Sequence, residues 1–216
     1  MKFFMINLNV RTCKQPSGTS ICGPCCVKMV IQYFGVKISL RTVKERCRCT
    51  SNGSTESSLA LAINKMNLKA TLYAIPSGGV FFGKYINFSK TKLIGSLNMR
   101  AALTKEKSFA LSLREAAYLI EQDSVKFELV GRESIERELN KGNLWIACCQ
   151  YYILDNLQDN EGAESTHFVV IQGYDKKHFI INDPLLGIKR VDKDRLLCSI
   201  YSITPYEVSA ICIEGI

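Results

Sequence analysis

Cys22 stands before Gly23-Pro24 and an apolar run, CCVKMVIQYF, that reads as a buried helix beginning at Cys22 or one residue either side. A free thiol is only a few per cent thiolate at neutral pH. At a helix N-terminus the unpaired N–H groups and the macrodipole favour the anion, and a neighbouring imidazolium adds to this; thiol pKa values fall to roughly 3.5–7.5 in such surroundings. Two histidines are available for that role. His167 opens the run THFVVIQGYD, whereas His178 follows lysines at the head of the next run, where alternation points it outward. Asn182-Asp183-Pro184 closes that second run. If the two runs are neighbouring antiparallel strands, Asp183 approaches His167, fixes its ring and stabilises its charged form. Gln15, just upstream of Cys22, carries an amide that can donate to an oxyanion beside the Cys22 N–H. Together these residues suit acyl transfer: Cys22 as nucleophile, His167 as general base, Asp183 as orienting carboxylate and Gln15 as oxyanion donor.

Blander chemistry competes for the same residues. Cys22-Gly23-Pro24-Cys25 is also a thiol-disulfide redox tetrapeptide, but no strong apolar strand leads into it, as a thioredoxin fold requires. Cys25 could still form a regulatory disulfide with Cys22. Cys22, Cys25, Cys47 and Cys49, with Cys13 nearby, have the number of thiols a zinc site needs. The first pair opens a buried helix, where two sulfurs do not readily converge on one ion, so Cys47 and Cys49 read as plain thiols. His167 alone could be a satisfied core histidine, and Asp183 a turn residue before Pro184.

The elements that must position these groups follow from periodicity. Helices are expected over 25–34, 40–46, 109–122 and 133–140, with Gly35 and Gly142 as stops, and another behind a Ser54 or Thr55 cap. Residues 69–75 read as a strand ended by Pro76-Ser77-Gly78-Gly79. From 143 the texture turns to β: LWIACCQYYI, then HFVVIQGYD, HFIIND and EVSAICIEG, with the polar loop DNLQDNEGAEST between the first two. A helical first half followed by a strand-rich second half argues an α+β fold, without a linker to divide it. Trp145 and Tyr33 read as core, and Cys148, Cys149, Cys198 and Cys212 as small hydrophobes in apolar runs.

The segment QPSGTSICGPCCVKMVIQYFG resembles the nucleophile segment of the bacteriocin-processing, double-glycine-leader cysteine peptidases and their stand-alone relatives. THFVVIQGYDKKHFIINDPLLG resembles their second signature. The resemblance implies a papain-like cysteine proteinase fold, a nucleophile helix packed on a C-terminal antiparallel sheet, and a Cys22-His167-Asp183 triad with Gln15 as oxyanion donor. It implies a peptide or protein substrate and neither cofactor nor metal. Side-chain amide chemistry on glutamine, by deamidation or transglutamination, is the alternative on the same fold, and a catalytically silent binding module is a third. Two features depart from the pattern. Gln15 precedes Cys22 by seven residues, one more than papain-like enzymes usually have, and residues 76–132 read as a basic, partly helical insertion.

Composition bounds the rest. With 216 residues, 47% of them hydrophobic, the chain is expected to form one domain over 1–216. The net charge of +8 is spread without long blocks of one sign, which gives no firm nucleic-acid signal. Lys84, Lys90, Lys92, Arg100, Lys105 and Lys107 are expected to form a solvated surface. No run of 18 apolar residues suggests a transmembrane span, and no cleavable secretory signal is legible. Cytoplasmic residence is the default expectation, with export by a route needing no cleaved signal left open. Ten cysteines then read as thiols, not a disulfide framework.

Overall fold

The computed structural model describes residues 5–75, 79–155, 166–203 and 209–215. In chain order the elements are β1 (Ile6–Asn7), α1 (Cys22–Tyr33), α2 (Leu40–Arg46), α3 (Glu56–Asn64), β2 (Lys69–Ala74), α4 (Lys90–Leu103), α5 (Lys107–Glu121), β3 (Val125–Lys126), α6 (Arg132–Asn140), β4 (Leu144–Gln150), α7 (Tyr151–Asp155), β5 (Thr166–Tyr174), β6 (His178–Asp183), β7 (Gly187–Asp192), α8 (Lys193–Tyr201) and β8 (Ser209–Glu214). A short 3-10 turn, Gly83–Asn87, precedes α4. Most of the expected turn at 76–79 and most of the polar loop at 155–166 lie outside the described residues. No helix among the described residues is long and apolar enough to cross a membrane.

The strands form one sheet in the order β3-β2-β8-β4-β5-β6-β7, antiparallel except for the β2–β3 pair, with β1 added against the end of β5. Helices cover both faces, which is why the strands read as continuous apolar runs instead of alternating ones. On one face, α1, α3 and α5 place Val27, Met29, Leu59, Ile63 and Leu113 in one core with Ile146, Val170 and Ile211, and α4 packs Leu97 onto α5. On the other, α6 and α8 bring Ile135, Leu139, Leu196 and Ile200 against Trp145, Val169 and Ile171. Fully burying each such side chain contributes about 1.5–3 kcal/mol, so the sheet is clamped from both sides. The fold is α+β, as the patterning implies. The sheet is not confined to the second half, however, because β2 sits inside it, hydrogen-bonded to β8 along all six residues.

Other departures have local causes. The run LWIACCQYYI does not stay extended: Tyr151 starts α7, because Leu154 then reaches the second core beside α8. Helix α4 gives a weak sequence signal in a basic stretch interrupted by Gly95, since only Leu93, Leu97 and Ala101 are buried, a stripe one residue wide. Helix α8 is announced by Asp192, whose side chain accepts from the Asp194 and Arg195 N–H groups. That helix turns Cys198 outward, so it is exposed and not a core hydrophobe. Arg100 also leaves the expected solvated set: it donates to the Gly79 and Val80 carbonyls at 2.9 and 2.7 Å and stacks on Phe82.

Gly173 marks where β1 meets β5. A Cβ there would lie 2.1 Å from the Ile6 carbonyl oxygen and 2.9 Å from Asn7 Cα, both of them backbone. Gly173→Ala should therefore loosen β1 and cost about 1–3 kcal/mol, as overpacking does; a denaturant midpoint indistinguishable from that of the parent would contradict this.

Candidate active site

The antiparallel register of β5 and β6 pairs Val170 with Asn182, which brings the start of one strand beside the end of the other. His167 and Asp183 meet there, Nε2 to Oδ1 at 2.9 Å, both buried. Asp183 Oδ1 also accepts from the Leu185 N–H at 2.8 Å, so the carboxylate is at once a turn former and the partner of the ring. Its second oxygen lies 3.6 Å from Lys189 Nζ, which is anchored on Asp155 at 2.7 Å. With Nε2 committed to Asp183, Nδ1 is the ring nitrogen left for the Cys22 thiol, and thiol and ring favour each other's charged forms.

Cys22 is the first residue of α1. The residue before it, Ile21, supplies no side-chain cap, so the first-turn N–H groups remain available to an anion. Pro24 is accommodated in this first turn because its missing donor has no partner to lose there. Burial pushes the Cys22 thiol up, but the His167 hydrogen bond and charge, with the backbone N–H groups of Phe168 and Gly23, outweigh it and hold the thiol below its ordinary value. Burial likewise pushes His167 down, and its bonds to Asp183 and Cys22 overcome this, raising the ring to about 9. Asp183 follows the same logic: desolvation opposes its charge, and His167, the Leu185 N–H and Lys189 lower it nonetheless. The arrangement favours a thiolate facing an imidazolium.

Gln15 lines the cleft over these groups, together with Ser20, Asn52, Ser54 and Leu185; the space is about 550 Å³. The Gln15 backbone N–H is fixed on the Pro184 carbonyl at 2.9 Å, which ties the loop before α1 to the loop after β6. Its side-chain amide donates to the Thr19 carbonyl. Gly23 serves packing: a Cβ there would meet Leu59 at 3.1 Å and Phe168 at 3.3 Å.

The other cysteines fall outside this line of contacts. Cys25 is fully buried and interacts more strongly with the Cys13 thiol than with Cys22, so the Cys-Gly-Pro-Cys run does not act as a facing pair. The hydrogen bond from Cys25 lowers Cys13 to about 7, against burial and with help from Lys28. Cys26 donates to the Phe168 carbonyl at 3.2 Å. Cys47 lies in the first core, where burial pushes it to about 12, and Cys49 points to the Ser20 and Thr50 carbonyls. All ten thiols are free.

Two neighbours of the site were not singled out from sequence. Tyr151 sets its ring edge against His167, with centroids 4.9 Å apart; burial first, then Asp183 and Asp155, raises its hydroxyl to about 12. In sequence Tyr151 continues the apolar run LWIACCQYYI, which suggests a strand residue and not a neighbour of His167. Lys189 was legible in principle: in the β6–β7 hairpin it pairs with Ile181, diagonal to Asp183 on the same face.

The family model described as the Peptidase C39 like family matches residues 7–202. No curated protein sequence matches the chain. Among solved structures, a putative C39-like peptidase from Bacillus anthracis is similar with a TM-score of 0.58 and 14% identity, covering 100% of this chain and 99% of that one. A double glycine motif protease from an AMS/PCAT transporter, in complex with its leader peptide, is similar with a TM-score of 0.50 and 17% identity, covering 99% and 96%. At these identities the structures bear on the fold, which is papain-like and not thioredoxin-like.

Proposed function

Since the chain belongs to the Peptidase C39 like family, and is a cysteine peptidase of papain-like fold, we propose that it hydrolyses peptide bonds through Cys22, His167 and Asp183. The observation that carries this reading is the convergence of Cys22 and His167 on one cleft, with the His167 ring bonded to the buried Asp183 carboxylate at 2.9 Å. The Cys22 thiolate adds to the scissile carbonyl, forming a C–S bond. The oxyanion is held by the Cys22 N–H and by Gln15, whose amide has a second N–H beside the one given to Thr19. His167 hands its Nδ1 proton to the leaving amine as the C–N bond breaks, leaving a thioester. The neutral ring then takes a proton from water, which attacks the thioester and returns the thiolate and a carboxylic acid. Asp183 keeps the ring aligned through both halves.

A peptide as substrate is supported by the leader peptide bound to the similar double glycine motif protease. Residues 1–216 act as one peptidase domain on this reading, with 76–132 as its elaboration. The family match over 7–202 and the full-length likeness to the Bacillus anthracis protein support that reading.

Iodoacetamide at pH 6–7 tests the premise. Cys22 should alkylate at least about tenfold faster than the eight thiols other than Cys13, because only the thiolate reacts and Cys22 pairs with an imidazolium; Cys13, lowered to about 7, is told apart by its position in the map. Peptide mapping should place the fast label there, and Cys22→Ser should remove it. Uniform slow labelling of all ten would end the proposal. Incubation with peptides then separates hydrolysis, read as new amino termini, from deamidation, read as ammonia.

A further inference from the structure

A second cavity, about 230 Å³, opens beside the catalytic cleft and shares Ser54, Thr166 and Phe168 with it. Its walls are mainly apolar: Val80, Phe109, Phe168 and Ile203. Two of the polar groups among them are engaged within the protein, while the Ser54 hydroxyl is buried without a hydrogen-bond partner. Ser112 donates to the Ser108 carbonyl at 3.2 Å, and Glu56 is bonded to the Cys148 thiol. An apolar cavity of about 150 Å³ holds a benzene-sized group, so this one has room for a leucine, methionine or phenylalanine side chain. A glycine would leave it empty.

The wall away from the sheet comes from the segment between β2 and α6. Arg100 fixes it, holding the Gly79 and Val80 carbonyls and lying 5.6 Å from the Phe109 ring. A pocket held this way loses little freedom when filled. Its other wall flanks the chemistry, since Thr166 and Phe168 are the chain neighbours of His167. An extended peptide advances about 3.3–3.6 Å per residue, so a side chain entering here belongs to a residue close to the bond being cut.

Resting on the peptidase reading above, we propose that this pocket receives a large apolar side chain of the substrate within two residues of the scissile bond. Val80, Phe109 and Ser112 then set that specificity. The stretch between β2 and α6 is thereby a selectivity element as well as a basic surface.

The test is a cleavage profile of the full chain on a mixed peptide library, read by mass spectrometry, with Cys22→Ser as the blank. One position within two residues of the cut should favour Leu, Met or Phe over Gly by about tenfold or more, the scale of apolar side-chain discrimination. Ser112→Phe, which fills the pocket, should erase that preference. Phe109→Ala, at a half-buried position, should shift it toward tryptophan and serves if the first variant does not fold. Cys22 alkylation, followed alongside, reports whether the catalytic groups are still assembled. Cys22-dependent cleavage with a flat profile, with basic residues preferred there, or with a profile that neither folded variant alters, overturns the pocket and leaves the peptidase reading standing. Absence of any Cys22-dependent cleavage overturns both.

Discussion

His167→Ala should lower kcat/KM by about 10⁴-fold or more, the scale seen when the base of a nucleophilic triad is removed. Two losses combine. Without the ring, the groups left to hold the Cys22 thiol down are the Phe168 and Gly23 N–H groups, against a burial that pushes it up. The thiolate fraction at neutral pH falls, and no group remains to protonate the leaving amine. The alkylation rate of Cys22 separates the two. Its pH midpoint should move upward in His167→Ala, and at a pH high enough to ionise the thiol fully, alkylation should recover while peptide hydrolysis does not. His178→Ala is the control, because His178 sits on Asp175 at the far end of β6. Equal losses in the two variants, or an unmoved alkylation midpoint in His167→Ala, would remove His167 from the mechanism.

Much of this geometry was legible in the sequence because it rests on strong local signals. An apolar decamer after Gly-Pro forces a buried helix, which leaves Cys22 at its head. Two short apolar runs separated by Asp175-Lys176-Lys177 force an antiparallel pair, and with it the meeting of His167 and Asp183. Less was legible where tertiary packing overrides local preference. Tyr151-Tyr152-Ile153 has ordinary strand composition and turns helical only because Leu154 finds a place beside α8. Cys13 and Cys25 are twelve positions apart in sequence, and no spacing rule announces that their thiols interact. The second cavity draws on α3, α5, β4 and β5, so no single stretch of sequence contains it. Glycines are the least transparent: nothing in the sequence around Gly23 announces that Leu59 and Phe168 close over it.

Asp183→Asn isolates the charge of the triad's third member, because its amide oxygen can still accept from Nε2. Burial pushes His167 down, and Asp183 is the first of the groups that overcome it to reach about 9. In the parent, the active thiolate–imidazolium form exists between the lowered thiol and the raised ring. The kcat/KM profile should therefore be bell-shaped, with its alkaline limb near 9. Removing the carboxylate charge removes part of what raises the ring, so the alkaline limb moves to lower pH. The acid limb moves up, because a ring that is less readily charged stabilises the thiolate less. The bell narrows from both sides, and its maximum should fall by about 10–100-fold, the usual cost of losing a partner that orients and charges a catalytic group. Lys189→Met approaches the same carboxylate from its other oxygen, 3.6 Å away. Lys189 lowers Asp183, so its loss should leave the bell nearly as wide as in the parent. A profile in Asp183→Asn that keeps its alkaline limb near 9 would mean that the carboxylate does not act through His167 at all.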